Sequence, residues 1–349
     1  MKECELYKSY KDYVECLACA RRCKLKPNQL GFCGIRKNID GKLFLLNYGF
    51  VSAIHIDPVE KKPAIHFYPG HKILSIGGTG CNWACAYCQN FEISQRRRVD
   101  GKEIMPEELI ELAKGEGAIG IAYTYNEPST LIEFAKSIGT LAHKNGLKNY
   151  FVSNGYFTDE SIEYALSFLD GITIDFKGHG ETNFMRKYTT SSDSSPIFNA
   201  IEKFFGKIYL EITDLVIPGI GDSEDALKEM LANIAKVSTD IPIHFLRFFP
   251  DYKLANLYPT PISTLEKCYN VARDLGFKYV YIGNVPGHKF ENTYCPNCGS
   301  MVIGRFGFEV TAVNLDEDNR CKNCGFELPI IGRPKLNYEP IYSLYDLYA

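Results

Sequence analysis

The chain has 349 residues, of which 45% are hydrophobic and 23% are charged, as is ordinary for a folded globular protein. Its formal net charge of −3 argues against nucleic acid as a partner, and no apolar run reaches the ~18 residues of a membrane span. The first residues also lack an apolar signal region, so the sequence predicts a cytoplasmic protein with no membrane partner.

The 13 cysteines are the most unusual feature of the composition. Without a secretion signal, so many cysteines indicate metal ligation rather than disulfides. They fall into a group near the N-terminus, a group in a central loop and a group near the C-terminus, and only Cys4 and Cys268 are left over.

The N-terminal group has the spacing C-x2-C-x3-C-x9-C and belongs to a β-rich region that we assign to residues 1–72. Four thiolates can hold a structural zinc ion or an auxiliary [4Fe–4S] cluster, and the number of thiolates does not separate the two. The spacing differs from that of bacterial ferredoxins, which slightly favours zinc. The four ligands of this predicted metal module are Cys16, Cys19, Cys23 and Cys33.

From residue 73 to about residue 290, apolar β-type runs alternate with helical patterns, as in a parallel sheet that is buried on both faces. Strands are predicted at 73–76, 119–124, 148–153, 171–176, 207–213, 242–248 and 279–282. Helices are predicted at 106–114, 129–144, 158–168, 194–204, 223–237 and 261–274. Right-handed crossovers between six such units predict an α/β fold, a partial (β/α)6 TIM-like barrel.

The loop after the first of these strands carries Cys81, Cys85 and Cys88 in the spacing C-x3-C-x2-C, with the flat ring of Tyr87 among them. A cubane iron–sulfur cluster normally takes four thiolates, so three thiolates leave the fourth iron open to a substrate or cofactor. A zinc knuckle or a closed cluster is the alternative, although zinc loops favour paired C-x2–4-C halves.

Polar residues follow several other predicted strands, and ligands of such folds bind at the carboxyl ends of strands. We therefore expect these residues to share one pocket with the cysteine loop. In the same region, His179 is a candidate for proton transfer, although a surface position is favoured. Arg247 lies in an apolar strand pattern and should face either an anionic ligand or a structural ion pair.

The motif C-x3-C-x-Y-C-Q-N with a later D-x-K resembles the pyruvate formate-lyase activating enzyme branch of the radical S-adenosylmethionine (radical SAM) enzymes. With Y-N-E-P, the N-terminal cysteine block and H-F-x-R-F-x-P-D-Y-K-L, the chain resembles the AmmeMemoRadiSam-system radical SAM proteins more closely still, over roughly residues 14–285. In radical SAM enzymes the open iron binds the amine and carboxylate of SAM. One electron from the cluster then cleaves SAM to a 5′-deoxyadenosyl radical, which abstracts hydrogen from a substrate.

The resemblance implies roles for the polar residues at the strand ends. Glu127 would bind the SAM amine, Ser153 and Asn154 would hold the ribose, and Asp175 and Lys177 would approach the SAM carboxylate. These charges suit their partners, because a carboxylate attracts an ammonium group and a lysine attracts a carboxylate.

The third cysteine group consists of two C-x2-C-G knuckles, which predict a zinc ribbon within residues 291–349. A rubredoxin-like iron site is the minor alternative. The tail, residues 330–349, is rich in Tyr and Pro and is expected to pack on the barrel or on a protein partner. The four ligands are Cys295, Cys298, Cys321 and Cys324.

Taken together, the sequence predicts a radical SAM enzyme, an activating-enzyme-like oxidoreductase or radical transferase with an unidentified substrate. Its cofactors would be a [4Fe–4S] cluster, SAM, zinc and optionally a second iron–sulfur cluster, and it would need a low-potential electron donor. Activation of a glycyl-radical enzyme is an alternative outcome. A noncatalytic iron–sulfur and zinc protein is the competing class, but it would not need Glu127, Asn154 and Lys177 around a SAM-sized pocket.

Overall fold

A computed structural model describes residues 1–336 and 342–343 of the chain. Among these residues, no helix combines the length and the apolar character needed to cross a lipid bilayer. The strands of the N-terminal region are β1 (Lys2–Glu3), β2 (Tyr7–Ser9), β3 (Val14–Cys16), β4 (Lys24–Leu25), β5 (Arg36–Ile39), β6 (Lys42–Leu45), β7 (Phe50–Val51) and β8 (Ala53–Pro58).

The central region alternates strands and helices, as the sequence predicts. Its strands are β9 (Lys72–Gly77), β10 (Lys102–Glu103), β11 (Gly120–Tyr123), β12 (Lys148–Ser153), β13 (Gly171–Lys177), β14 (Tyr209–Val216), β15 (Ile243–Arg247) and β16 (Val280–Gly283). Its helices are α1 (Phe91–Ser94), α2 (Pro106–Gly115), α3 (Ile132–Lys144), α4 (Asp159–Leu166), α5 (Thr182–Phe184), α6 (Ser195–Phe204), α7 (Glu224–Ala235) and α8 (Ile262–Asp274). The last strands are β17 (Thr293–Tyr294), β18 (Met301–Phe306), β19 (Glu309–Val313) and β20 (Tyr342–Ser343).

The largest sheet has the strand order β16-β15-β14-β13-β12-β11-β9-β8-β20. The strands from β9 to β16 in this sheet are all parallel to one another, and they follow one another in chain order. Strand β8 pairs with β9 in the antiparallel direction and extends the sheet beyond the repeated units. The predicted parallel α/β sheet is therefore confirmed.

The interior strands form because their residues are apolar on both faces. In β11, for example, Ile121, Ala122 and Tyr123 are each no more than 1% exposed. Such strands need helices on one face and packed side chains on the other, which the repeated crossovers supply.

Helix α3 begins later than the sequence predicts. Residues Pro128–Leu131 form a 3₁₀ turn, and α3 follows at Ile132. The side chain of Glu127 accepts a hydrogen bond from the backbone N–H of Ser129 and so caps this turn. The cap fixes the position of a carboxylate at the end of β11.

The N-terminal module consists of two small three-stranded sheets, β1-β6-β5 and β2-β3-β4. It packs on the central region through a buried ion pair between Arg36 and Glu133 of α3. Thr158, which caps α4, adds a hydrogen bond from its hydroxyl to the carbonyl of Leu17 at 2.5 Å.

The C-terminal module is the antiparallel sheet β17-β18-β19. Its buried apolar residues pack with Tyr279 and Tyr281 at the last parallel strand. Part of the predicted tail contact is described: the N–H of Ile331 donates to the carbonyl of His66, and β20 pairs with β8. The rest of the tail, residues 337–341 and 344–349, lies outside the described residues.

Candidate active site

A cavity of about 520 Å³ opens at the carboxyl ends of the parallel strands. Its volume lies within the range of small-molecule and cofactor sites. The wall brings together the three cysteines of the central loop and all of the polar residues that the family resemblance places beside SAM. These residues are Cys81, Cys85, Tyr87, Cys88, Glu127, Ser153, Asn154, Asp175 and Lys177.

The cysteine loop is held from two sides. Asn126 donates its side-chain N–H to the carbonyl of Gly80 at 2.7 Å. The backbone N–H groups of Ala84 and Ala86 donate to the carbonyls of Thr189 and Tyr188, at 3.0 and 2.8 Å. These contacts position the loop through its backbone and do not involve its thiols. The thiol of Cys88 lies 3.1 Å from the hydroxyl of Ser94.

The residues around the thiols fit a bound group. Among the described residues, the buried side-chain nitrogens of Asn82 and Trp83 and the hydroxyl of Tyr87 have no hydrogen-bond partner. Burial raises the pKa of the Cys85 thiol to about 12, partly opposed by the nearby Lys177. A thiol of this kind becomes a thiolate when a metal displaces its proton. The loop thus has the donor set and the unsatisfied polar atoms of a cluster site.

Glu127 is the central acceptor beside the loop. Its two carboxylate oxygens accept hydrogen bonds from the N–H of Ser129 at 3.0 Å, the hydroxyl of Ser153 at 2.9 Å and the N–H of Asn154 at 2.8 Å. Burial raises the pKa of this carboxyl, while these donors act in the opposite direction. A carboxylate has about four acceptor positions, so these three donor groups leave about one position for a ligand.

Asn154 connects the strand ends to the cysteine loop. Its side-chain N–H donates to the carboxamide oxygen of Asn82 at 2.7 Å, and its own oxygen accepts from the N–H of Tyr156 at 3.0 Å. The rings of Tyr156 and Trp83 pack edge to face, with centroids 5.8 Å apart. These contacts fix the turn after β12 against the residue that follows Cys81.

Asp175 and Lys177 form an ion pair in the cavity wall, with the Lys177 Nζ 2.5 Å from a carboxylate oxygen. The hydroxyl of Thr213 donates to the other oxygen of Asp175 at 2.6 Å. Both charged side chains remain partly exposed to the cavity, at 22% and 17%. A ligand carboxylate can therefore reach the lysine without the complete burial of an unpaired charge.

Several residues of the cavity wall were not predicted from the sequence. Lys61 and Lys62 come from the turn after β8 and both pair with Asp57, whose pKa they hold well below its usual range against the effect of burial. Phe308 reaches the wall from the ribbon. None of these residues follows a parallel strand, so the sequence offered little reason to expect them in the cavity wall. The only indication was the pair of adjacent lysines, Lys61 and Lys62, in a turn.

Two residues from the sequence analysis have clear outcomes. Arg247 lines the cavity, and its Nε donates to the carbonyl of Thr260 at 3.0 Å. The favoured surface position of His179 was wrong, because His179 is only 3% exposed. Its backbone N–H and its Nδ1 both form hydrogen bonds with the carboxylate of Asp214, at 3.0 and 2.5 Å. These bonds stabilise the buried position of His179. His179 is also absent from the cavity wall among the described residues.

The two other cysteine groups do not line this cavity. The ribbon cysteines form a compact site with all four sulfurs within 4.8 Å of one another, as a single metal ion requires. The four N-terminal cysteines surround a small cavity of their own with Arg36. The two left-over cysteines, Cys4 and Cys268, are both buried and free.

Comparison with known proteins shows matches along most of the chain. Residues 75–234 match the Radical SAM superfamily. An uncharacterized protein of Methanocaldococcus jannaschii, MJ0808, is 41% identical over 338 residues, which cover 95% of this chain and 100% of that protein. A cysteine-type anaerobic sulfatase-maturating enzyme of Clostridium perfringens is 28% identical over 161 residues, 42% of this chain and 43% of that enzyme.

Solved structures give more distant matches. A radical SAM methyltransferase from Sphaerobacter thermophilus matches with a TM-score of 0.48 and 12% identity, over 62% of this chain and 68% of that chain. A domain of pyruvate-formate lyase-activating enzyme from Bacteroides vulgatus matches with a TM-score of 0.39 and 14% identity, over 47% of this chain and 99% of that chain. From the sequence matches, the chain belongs to one family with the M. jannaschii protein and carries a domain of the radical SAM superfamily.

Proposed function

We propose that this protein is a radical SAM enzyme in which Cys81, Cys85 and Cys88 hold a [4Fe–4S] cluster. The single observation that carries the proposal is the shared cavity. Three thiols from one loop and the polar side chains of three different strand ends line the same space. A noncatalytic metal protein would need the thiols but would have no use for this convergence.

When bound, the cluster and SAM supply a carbon-centred radical that abstracts a hydrogen atom from the substrate. The remaining acceptor position of Glu127 binds the ammonium group of SAM. Ser153 and Asn154 keep that carboxylate in place, through the hydrogen bonds at 2.9 and 2.8 Å, and lie beside the ribose. Lys177 attracts the SAM carboxylate, while Asp175 orients the lysine through their ion pair.

Tyr87 serves as the aromatic wall of the cluster loop. Its ring stacks on Phe184 with centroids 5.9 Å apart, which keeps the loop closed against the barrel. Because the ring is 4% exposed, it excludes water from one side of the thiols. A dry environment strengthens the electrostatic contacts on which cofactor binding depends.

The rest of the cavity is available to the substrate. Its wall combines apolar side chains with cationic ones, which suits a substrate that has an apolar part and an anionic group. Arg247 and Lys61 supply the positive charge, and Phe308 brings the ribbon into contact with the substrate side. The apolar residues of this wall are Leu215, Leu246, Phe248, Phe249 and Phe308.

Within the superfamily, the sequence motifs support placement with the AmmeMemoRadiSam-system proteins. Activation of a glycyl-radical enzyme is a second outcome of the same chemistry, and the motif C-x3-C-x-Y-C-Q-N with D-x-K supports it. The ribbon cysteines are proposed to hold zinc, because four sulfurs within 4.8 Å suit one tetrahedral ion. A low-potential electron donor completes the system.

The test is anaerobic reconstitution with iron and sulfide, followed by dithionite, SAM and analysis for 5′-deoxyadenosine. We expect cleavage by the wild-type protein and none by Cys85→Ala. The matched control is Cys268→Ala, a buried cysteine in α8 that does not line the cavity. It should retain cleavage. A wild-type protein with a full cluster and no cleavage would refute the proposal in favour of a noncatalytic protein.

A further inference from the structure

The four N-terminal cysteines are arranged differently from those of the ribbon. Cys16, Cys19, Cys23 and Cys33 come from two segments of the module, and all four side chains line one small cavity. The space between them admits about one water-sized sphere. Three of the four are buried and Cys23 is partly exposed, so the site is nearly closed to solvent.

The ribbon provides an internal standard for a single-ion site. Its sulfur pairs Cys295–Cys324 and Cys298–Cys321 are 3.6 and 3.7 Å apart. A zinc ion with sulfurs at about 2.3 Å in a tetrahedron requires sulfurs about 3.8 Å apart. The ribbon therefore has the geometry of a zinc site before any ion is considered.

The N-terminal group does not meet this standard. Among the described residues, which include every cysteine, the ribbon is the one group with three or more metal-ligating atoms all within 4.8 Å. The N-terminal sulfurs thus surround an open centre rather than converging on one point. The loop of Cys81, Cys85 and Cys88 shares this property, since it also fails the same criterion.

The size of the bound group distinguishes a zinc ion from an iron–sulfur cluster at this site, whereas the net charge does not. Four thiolates on zinc and four thiolates on an oxidised cubane carry the same net charge, and the buried Arg36 beside the site is already paired with Glu133. A cubane holds its thiolates at the corners of a larger body and needs the wider spread of sulfurs. We infer that the N-terminal cysteines bind a second, fully ligated [4Fe–4S] cluster, against the slight preference of the spacing for zinc.

The two cluster sites share a wall. A Cβ added to Gly80, the residue before Cys81, would lie 2.4 Å from the carbonyl oxygen of Cys33. Asn82 lines the N-terminal cavity, and its carbonyl accepts a hydrogen bond from Arg21. The two groups of thiols are therefore separated by little more than one layer of backbone.

This proximity gives the second cluster a role, which rests on the proposed radical SAM function. A reduced one-electron carrier of the ferredoxin or flavodoxin class donates one electron to the N-terminal cluster. That cluster passes the electron to the cluster at Cys81, Cys85 and Cys88 and returns to its oxidised state. The N-terminal module is then the entry point for electrons.

Metal analysis of the anaerobically reconstituted wild-type chain tests the cluster directly. We expect about eight irons and about one zinc per chain, with the zinc lost in Cys298→Ser. About four irons and about two zinc ions would overturn the inference, because both four-cysteine sites would then hold zinc. This measurement does not depend on SAM cleavage, so it fails or succeeds separately from the proposed function.

Variants assign the iron to its site. The triple variant Cys81→Ala/Cys85→Ala/Cys88→Ala should keep about four irons and the electron paramagnetic resonance signal of a reduced cluster. Adding Cys16→Ser and Cys19→Ser to this variant should remove both the remaining iron and the signal. A signal that persists would refute the assignment.

The electron-relay role is tested by stopped-flow reduction of the protein with reduced flavodoxin. The fast phase of this reduction should be lost in Cys16→Ser/Cys19→Ser, while dithionite still reduces the remaining cluster. An unchanged fast phase would exclude the relay role.

Discussion

The buried ion pair between Arg36 and Glu133 should be the main electrostatic contact that holds the N-terminal module on the central region. The two side chains are only 2% and 0% exposed. Arg36 donates to both carboxylate oxygens of Glu133, and its Nε donates to the carbonyl of Thr130 at 2.9 Å. Replacing Arg36 with Met removes three hydrogen bonds and leaves a buried carboxylate without its cation.

Breaking a buried pair at one partner costs about 3–5 kcal/mol, because the other charge is left uncompensated. We therefore expect Arg36→Met to lower the free energy of unfolding by about this amount. The double variant Arg36→Met/Glu133→Leu should recover much of the loss, since no buried charge remains. Urea denaturation followed by circular dichroism, at fixed pH and metal content, measures both values.

The matched control is the exposed pair Lys228–Glu224 on α7, in which the nitrogen and oxygen are 2.6 Å apart and the side chains are 54% and 40% exposed. Lys228→Met should change the free energy of unfolding by no more than about 1 kcal/mol, because solvent screens the pair. If Arg36→Met cost no more than this control, or if the double variant were no more stable than Arg36→Met, the reasoning from buried charge would be refuted.

Three further predictions concern the site and its supports. Ser153→Ala should lower the free energy of unfolding by about 1.5–3 kcal/mol, as measured by urea denaturation, because it removes a donor to the buried carboxylate of Glu127. Burial raises the pKa of Glu60 from 4.5 to about 7. Between about pH 4.5 and pH 7 the folded protein therefore binds more protons than the unfolded chain. The free energy of unfolding should fall by up to about 3 kcal/mol as pH rises through this range. Denaturation of Glu60→Gln measured at several pH values should not show this fall. Gly80→Ala should reduce the bound iron of both clusters, because Gly80 has a φ of +83° and an added Cβ would clash with a carbonyl of the N-terminal module. The matched control is Gly117→Ala, because Gly117 also has a positive φ, of +65°, but no atom lies within 4 Å of the added Cβ. This variant should lower the free energy of unfolding only by the backbone strain, about 1–3 kcal/mol, and should leave the iron content unchanged.

Periodicity alone predicts most of the central region, for a physical reason. A parallel strand buried on both faces must be apolar at nearly every position, and crossover helices must be apolar on one face, so the two patterns are hard to confuse. The strand predicted at 148–153 has the observed bounds, and the one at 171–176 is one residue short. The residues just past these strands met in one cavity because parallel strands end on the same side.

Pairings between distant residues could not be predicted in the same way. Arg36 and Glu133 are 97 residues apart, and neither has a local pattern that names the other. His179 was expected at the surface, yet it is buried and bonded to Asp214, which lies 35 residues further along the chain. Side-chain partners of this kind depend on the packing of whole elements, which single-sequence patterns do not encode.

The metal sites show where spacing along the chain stops being informative. Two groups of four cysteines have the same ligand number. The spacing slightly favoured zinc for the N-terminal group and predicted a zinc ribbon for the C-terminal group. Three-dimensional structure separates them, because the ribbon sulfurs converge on one point while the N-terminal sulfurs surround an open centre. The distance between ligand atoms reflects the size of what they hold, and that distance is set by the loops that carry them. A cysteine count therefore predicts that metal is bound, whereas the spread of the sulfurs indicates whether it is one ion or a cluster.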